Sequence, residues 1–263
     1  TEEYGLSRAD LDGKTIGEEL LRIGYQGEER PGDHPIRAYF EAHIEQGPIL
    51  EAEGKTIGVV QGIQGMRWFE VTLTGAESHA GTTPMNRRKD AMLGCARIVD
   101  RVNAIAGQFR PGVTTVGLVK VSPNSRNTIP GSVFFTVDLR HPRDQELARM
   151  KAALEEGVAE IARALGLAYE VKEIWNSPAI EYHQDCIEAV RNAASELGFG
   201  HMDIVSGAGH DAGYINRVAP AGMIFVPCAE GISHNESETA TPQDLAAGCN
   251  VLLRAMLARA GAG

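Results

Sequence analysis

Between residues 67 and 175 the chain alternates strand and helix signals in an order that few folds accept. Phe69, Val71 and Leu73 alternate with polar neighbours, as a half-buried strand does. A helical pattern follows, with Met92, Cys95, Val99, Val102 and Ala106 on one face and Gly107 as its stop. Residues 113–121 and 132–139 then read as strands, the second with Val133, Phe135, Val137 and Leu139 sharing a face. A second helix starts near Asp144, carries Leu147, Met150, Leu154, Val158, Ile161 and Leu165 as its stripe, and stops at Gly166. A strand over residues 169–175 closes the series. The order β-α-β-β-α-β is the ferredoxin-like split βαβ pattern.

The flanks read differently. Over residues 36–45, Ala38, Phe40, Ala42 and Ile44 alternate with Tyr39, Glu41, His43 and Glu45, which is a strand ended by Gln46-Gly47-Pro48. After Pro178 comes a helix with Ile187, Val190, Ala194 and Leu197, stopped by Gly198. A short strand then leads into Gly207-Ala208-Gly209-His210-Asp211 and a short helix. A buried-type strand follows over residues 223–226, and the last helix is capped by Thr241 with Pro242 at its first position. Alternating helices and apolar strands suggest parallel α/β structure. The expected fold is therefore an α/β domain made of residues 1–62 and 179–263, interrupted by the ferredoxin-like unit at residues 63–178.

Composition narrows the function classes. The 263 residues are 43% hydrophobic and carry a formal net charge of −10, which argues against nucleic acid as a main partner. No apolar run approaches the roughly 20 residues of a membrane span. Cys95, Cys186, Cys228 and Cys249 are widely spaced, and read as reduced thiols of a cytoplasmic protein. The sequence opens at Thr1 in a polar stretch with no signal-peptide pattern, so a segment upstream is expected.

Polar residues gather where apolar elements end. His43 lies at the end of the first strand, and His234 in the polar loop 231–236 after a buried strand. Each is a candidate metal ligand or a structural histidine. Ser78-His79-Ala80-Gly81-Thr82-Thr83-Pro84 is either a turn followed by an Asn86 helix cap or a donor aimed at substrate. Arg126 and Arg140 either clamp a carboxylate bidentately or stand solvated on a hairpin. No Gly-rich phosphate loop, H-E-x-x-H helix or G-x-S-x-G elbow is present.

Taken together, the strings EAHIEQGPILE, SHAGTTPM, NTIPG, DLRHP, GAGHDAG and GISHNE, in this order and at these separations, resemble the amidohydrolase branch of the M20 metallopeptidase superfamily. That branch comprises N-carbamoyl-L-amino-acid hydrolases, β-ureidopropionases and allantoate amidohydrolases, and the likeness is greatest to the first. The resemblance covers essentially the whole chain. It implies a zinc-peptidase-like α/β catalytic domain interrupted by a lid and dimerisation domain, and a homodimer formed through that lid. It also implies two divalent metals (Zn, Mn, Co or Ni) per complete subunit, and hydrolysis of a ureido C–N bond to an amino acid, ammonia and carbon dioxide. By the same resemblance His43 and His234 are metal ligands, and His79 is the catalytic oxyanion donor supplied by a neighbouring subunit. Asn127 and Arg140 hold the substrate carboxylate, Gln46 stands beside the metals, and Gly209 makes a backbone contact to substrate.

The family's other ligands are a His, a bridging Asp and a Glu, with an adjacent Glu as general base. All are expected upstream of the equivalent of Thr1. Glu2-Glu3 and Glu18-Glu19 do not sit in the family's context. This chain alone is therefore expected to be inactive. The competing readings are an M20 peptidase or aminoacylase, and a non-catalytic dimerisation or binding fragment.

Overall fold

The computed structural model describes residues 2–30 and 32–261. The chain opens with α1 (Glu2–Leu6) and α2 (Ile16–Ile23), then β1 (Tyr39–Ile44), α3 (Ile49–Ala52) and β2 (Ile57–Ile63). It continues through β3 (Gly65–Thr74), β4 (Ser78–His79), α4 (Ala91–Gln108), β5 (Val113–Thr115), β6 (Val119–Ser122), β7 (Thr128–Ile129), β8 (Ser132–His141), α5 (Asp144–Leu165) and β9 (Ala168–Ser177). It ends with β10 (Ile180–Glu181), α6 (Gln184–Glu196), β11 (His201–Ser206), α7 (Asp211–Ile215), β12 (Ala221–Val226) and α8 (Pro242–Ala260).

Two sheets organise these elements, each with its own core. The inner sheet runs β5-β8-β3-β9, with β6 also on β8, and every pairing is antiparallel. Strict alternation on β3 and β8 sends Phe69, Val71, Leu73, Val133, Phe135, Val137 and Leu139 to one face. There they pack on α4 and α5. All buried members of this core fall between residues 69 and 167. The opposite sheet face carries Trp68, Asp138 and Arg140. The outer sheet, ordered β1-β12-β2-β10 with β11 on β2, draws its core from both sides of that segment, from Leu50 to Ile63 and from Tyr182 to Ala255.

Five local expectations are corrected. The outer sheet is mixed rather than parallel: β1 and β12 are parallel, but β2 runs antiparallel to β12 and parallel to β11. β2 is buried along nearly its whole length, so its apolar run has neither a two- nor a 3.6-residue period to signal it. On α4 the buried face is Ala91, Gly94, Cys95, Ile98, Val102 and Ile105, while Met92 and Val99 are exposed. The helix approaches the sheet on its small residues, and a Cβ at Gly94 would stand 2.6 Å from Leu167 Cδ1. The cap of α4 is Asp90, whose carboxylate accepts from the Met92 and Leu93 amides, and Asn86 lies in a short 3-10 turn before it. Gly107 is inside α4, which ends at Gln108, and the strand read over residues 113–121 is broken into β5 and β6.

One surface of the outer unit is apolar without cover. β1 has β12 as its only strand partner among the described residues. Beside it, α8 buries Ala247, Gly248, Val251 and Ala255 against the sheet but leaves Leu245, Leu253, Met256 and Leu257 exposed on its other side. A helix apolar on two sides is built for burial on two sides.

Candidate functional site

His43 is fixed by its own strand. Its Nδ1 lies 2.8 Å from the Ile44 carbonyl oxygen. A carbonyl can only accept, so Nδ1 carries the proton and Nε2 keeps its lone pair, the arrangement a metal-ligating histidine needs. The His210 ring meets His43 edge-on, with centroids 4.8 Å apart.

His210 itself is buried and shares a 2.7 Å hydrogen bond with the Ser206 hydroxyl. Burial, and then the nearby His43, push its pKa down to about 4, so it is a neutral imidazole at neutral pH. Glu41 closes this group: its carboxylate accepts from the Ala212 amide at 2.7 Å, at the start of α7. His210, Ser206 and Glu41 are thus scaffold under the segment 207–211, which crosses the sheet face from the end of β11 towards β1.

Because β1 and β12 are parallel neighbours, the loops that follow them stand side by side. Gln46, at a left-handed φ of 59°, donates from Nε2 to the Ser233 hydroxyl at 2.8 Å. Ser233 in turn donates to Glu238, which also accepts the His234 amide. Gln46 and His234 both line a cavity of about 680 Å³ that reaches Gly207 and the inner-unit residues Pro111, Val113 and Pro142. Arg140 stands at this junction, donating from Nη1 to the Gly207 carbonyl at 2.9 Å. Its Nε and Nη2 are held by the Asp138 carboxylate at 2.7–3.1 Å. Three of the five guanidinium N–H groups are used, and one on each Nη is left.

His79 and Asn127 form a second group. They sit at the two-stranded β4–β7 ribbon, His79 on β4 and Asn127 just before β7, where the Ala80 amide bonds the Asn127 carbonyl at 2.9 Å. His79 Nδ1 accepts from the Gly81 and Thr82 amides at 3.1 and 3.2 Å, so a neutral ring must carry its proton on Nε2 as an outward donor. The Asn127 side-chain oxygen accepts from Ser125 and Thr128, which leaves its NH₂ as a donor.

The two groups are far apart. The ribbon joins the inner sheet at the Ser132 end of β8, and Arg140 is one residue from the other end. At about 3.3 Å per residue the ends of this strand are separated by about 25–30 Å. Asn127 and Arg140 of one chain therefore cannot grip the same small carboxylate, although the sequence reading pairs them.

The family model for peptidase family M20/M25/M40 matches residues 7–258. The chain belongs to this family. Among curated M20 relatives, it is 47% identical over 258 residues to an N-carbamoyl-L-amino-acid amidohydrolase of Rhizobium meliloti, covering 98% of this chain and 62% of that protein. It is 35% identical over 218 residues to an allantoate amidohydrolase of Escherichia coli, covering 82% and 53%. A solved amidase of the hydantoinase/carbamoylase family from Burkholderia multivorans superposes with a TM-score of 0.95 at 60% identity, over 98% of this chain and 63% of that one. The M20 chain described here thus spans less than two thirds of the length of these relatives.

M20 amidohydrolases depend on divalent metal, and the geometry around His43 answers in part. His43 offers one ring nitrogen away from its contact with the Ile44 carbonyl, but catalytic zinc takes three protein ligands. No group of three His, Cys, Asp or Glu able to hold a metal exists among the described residues. Glu18 belongs to the capping box of α2 and Glu19 pairs with Arg22, so neither replaces the expected carboxylates. All four cysteines are free thiols, and no described helix is long and apolar enough to cross a membrane.

The sequence reading missed Asp138, Ser206 and the structural use of Glu41. Asp138 and Glu41 each stand two residues from a named site residue on a strand. The period of two could have placed them on the same face.

Proposed function

We propose that this chain is the larger part of an enzyme that hydrolyses the ureido C–N bond of N-carbamoyl-L-amino acids, acting as a homodimer through the inner unit as a lid. The observation that carries this reading is the division of the candidate residues into two distant groups. Gln46 and His234 line the cavity between the two sheets and Arg140 bonds its Gly207 wall, with His43 on the neighbouring strand β1 and Gly209 in the segment after β11, while His79 and Asn127 stand at the far end of β8. A second copy that brings its β4–β7 ribbon over the junction would complete one site per chain.

The remaining metal ligands and the general base would come from polypeptide packed along the free edge of β1 and the exposed apolar side of α8. In that assembled enzyme, His43 Nε2 and His234 would hold metal, which when bound would polarise the carbonyl and acidify a water. Arg140 takes the substrate carboxylate on its two remaining N–H groups, with the Gly209 backbone and Gln46 lining the place where the ureido group lies. The β4–β7 ribbon of the second copy presents His79 Nε2–H to the carbonyl oxygen as negative charge develops there. Water adds to the ureido carbon and ammonia leaves. The carbamate that remains loses carbon dioxide to give the amino acid. The free thiols suit a cytoplasmic setting.

Two measurements bear on this reading. After dialysis, the chain by itself is expected to retain far less than two metals per molecule by elemental analysis, because two histidines do not close a site. A stoichiometric, chelator-resistant pair would contradict the donor count. The assembled enzyme is expected to release ammonia from N-carbamoyl-L-amino acids and to leave dipeptides intact. Ninhydrin-positive products from dipeptides, without ammonia from the carbamoyl compounds, would assign it to the peptidases instead.

A further inference from the structure

The face of the inner sheet opposite α4 and α5 holds both tryptophans of the chain. Trp68 on β3 sits opposite Asp138 on β8 and opposite Trp175 on β9. The indole rings are 6.2 Å apart and tilted by 38°, and the two residues are 40% and 49% exposed. Nothing in the fold requires such large apolar side chains on an open sheet face, and exposed patches of this kind mark contact sites.

Their position is specific. Asp138 is the residue that holds Arg140, and Arg140 lies two residues on, about 6.6 Å along the same face. Met66 and Val113 sit opposite Arg140 on the neighbouring strands. One rung beyond the tryptophans the face turns polar, with Lys172, Glu70 and Thr136 side by side. That polar rung separates the tryptophan pair from Phe134, the next aromatic residue on this face, and leaves the pair on the rung next to the guanidinium. Trp68 borders a cleft of about 250 Å³ with Thr115, Gly117 and Ile174. Trp175 borders another of about 260 Å³ with Gly209, His210 and Tyr214. Aromatic walls thus run from the carboxylate-holding arginine to the loop that carries Gly209.

We propose that Trp68 and Trp175 form the side-chain subsite for a substrate whose carboxylate is held by Arg140. The ligand class is N-carbamoyl-L-amino acids with aromatic or large apolar side chains, preferred over the glycine and β-alanine derivatives. This rests on the carboxylate role of Arg140 given above. An N-carbamoyl amino acid seated on Arg140 projects its side chain from the carbon next to the carboxylate. A subsite one rung away is the distance such a side chain can span.

The test uses the chain as it stands, because Arg140 and both tryptophans belong to it and no turnover is needed. Its tryptophan fluorescence reports on these two residues alone. N-carbamoyl-L-phenylalanine and N-carbamoylglycine are titrated while emission is followed, with calorimetry for affinity. The phenylalanine derivative is expected to bind at least about tenfold more tightly, the scale of discrimination of an apolar pocket, and to shift the emission to shorter wavelength. In Trp175→Ala, on the exposed strand β9, that preference should fall to within about threefold while the glycine derivative binds as before. Trp68→Phe, which keeps an aromatic ring on the central strand, should retain most of it. Equal affinity for both compounds, unchanged in Trp175→Ala, would overturn the subsite and leave the Arg140 reading standing. Failure of either compound to bind, with Arg140→Ala indistinguishable from the parent, would overturn both. A ligand-independent blue shift that grows with protein concentration would assign the tryptophans to a contact between copies and overturn the subsite.

Discussion

In the assembled enzyme, His79→Ala is expected to lower kcat by about 100- to 1000-fold while KM changes little. The Gly81 and Thr82 amides hold Nδ1, so the ring offers one donor, Nε2–H, in a fixed direction. A preorganised donor of this kind acts on charge that exists mainly in the transition state, and its loss falls on kcat. The fold should be indifferent to the change, since His79 is exposed on a two-residue strand. Unaltered thermal unfolding alongside the kinetic loss would separate the chemical role from a structural one. A rise in KM with kcat preserved would move His79 into ground-state binding.

Arg140→Ala is expected to reduce kcat/KM by roughly 30- to 1000-fold, which corresponds to about 2–4 kcal/mol for a lost charge-assisted contact. Arg140→Lys should raise KM more than it lowers kcat. Lysine keeps the charge but loses the planar fork, and it cannot satisfy Asp138, the Gly207 carbonyl and a substrate carboxylate together. Arg140 also ties the inner unit to the segment after β11 through Gly207. Steady-state kinetics on both variants, with N-carbamoyl-L-amino acids of fixed side chain, checks the split between the two parameters. Activity within about twofold of the parent in Arg140→Ala would exclude a carboxylate role, since even the low end of a charged hydrogen bond is larger than that.

Much of the fold was legible because its strands are half-buried. On β8 alternate residues from Val133 to His141 are buried, and that period of two is visible without coordinates. The stripe of α5 and the stop at Gly166 were legible for the same reason at a period of 3.6, and Gly166 indeed adopts the left-handed cap. β2 was silent because it is covered on both faces. The face of α4 was misplaced because close packing selected Gly94 and Ala91 over the larger Met92 and Val99.

The site was legible as strings and not as geometry. His43 and Arg140 stand on strands whose phase can be read, so their faces followed from the sequence. The pairing of Asn127 with Arg140 did not, because only the length and direction of β8 reveal that a sheet separates them. The guanidinium's use of Asp138 was within reach, since residues two apart on a strand share a face. Trp68 and Trp175 became neighbours only once β3 and β9 were paired across the bulge beside Trp68.

The claim that most depends on this geometry is that each site is built from two chains, with Arg140 from one and the β4–β7 ribbon with His79 and Asn127 from the other. Subunit mixing tests it directly. His79→Ala and Arg140→Ala enzymes are each purified, shown to be inactive and folded, then dissociated together and reassembled. In a mixed dimer one site has lost both residues and the other has kept both. Random reassembly should therefore restore about one quarter of the parent's activity, rising and falling with the fraction of mixed dimers. Mixed dimers that form in the expected proportion, as seen by a mass tag on one variant, and remain as inactive as either parent would contradict the two-chain site.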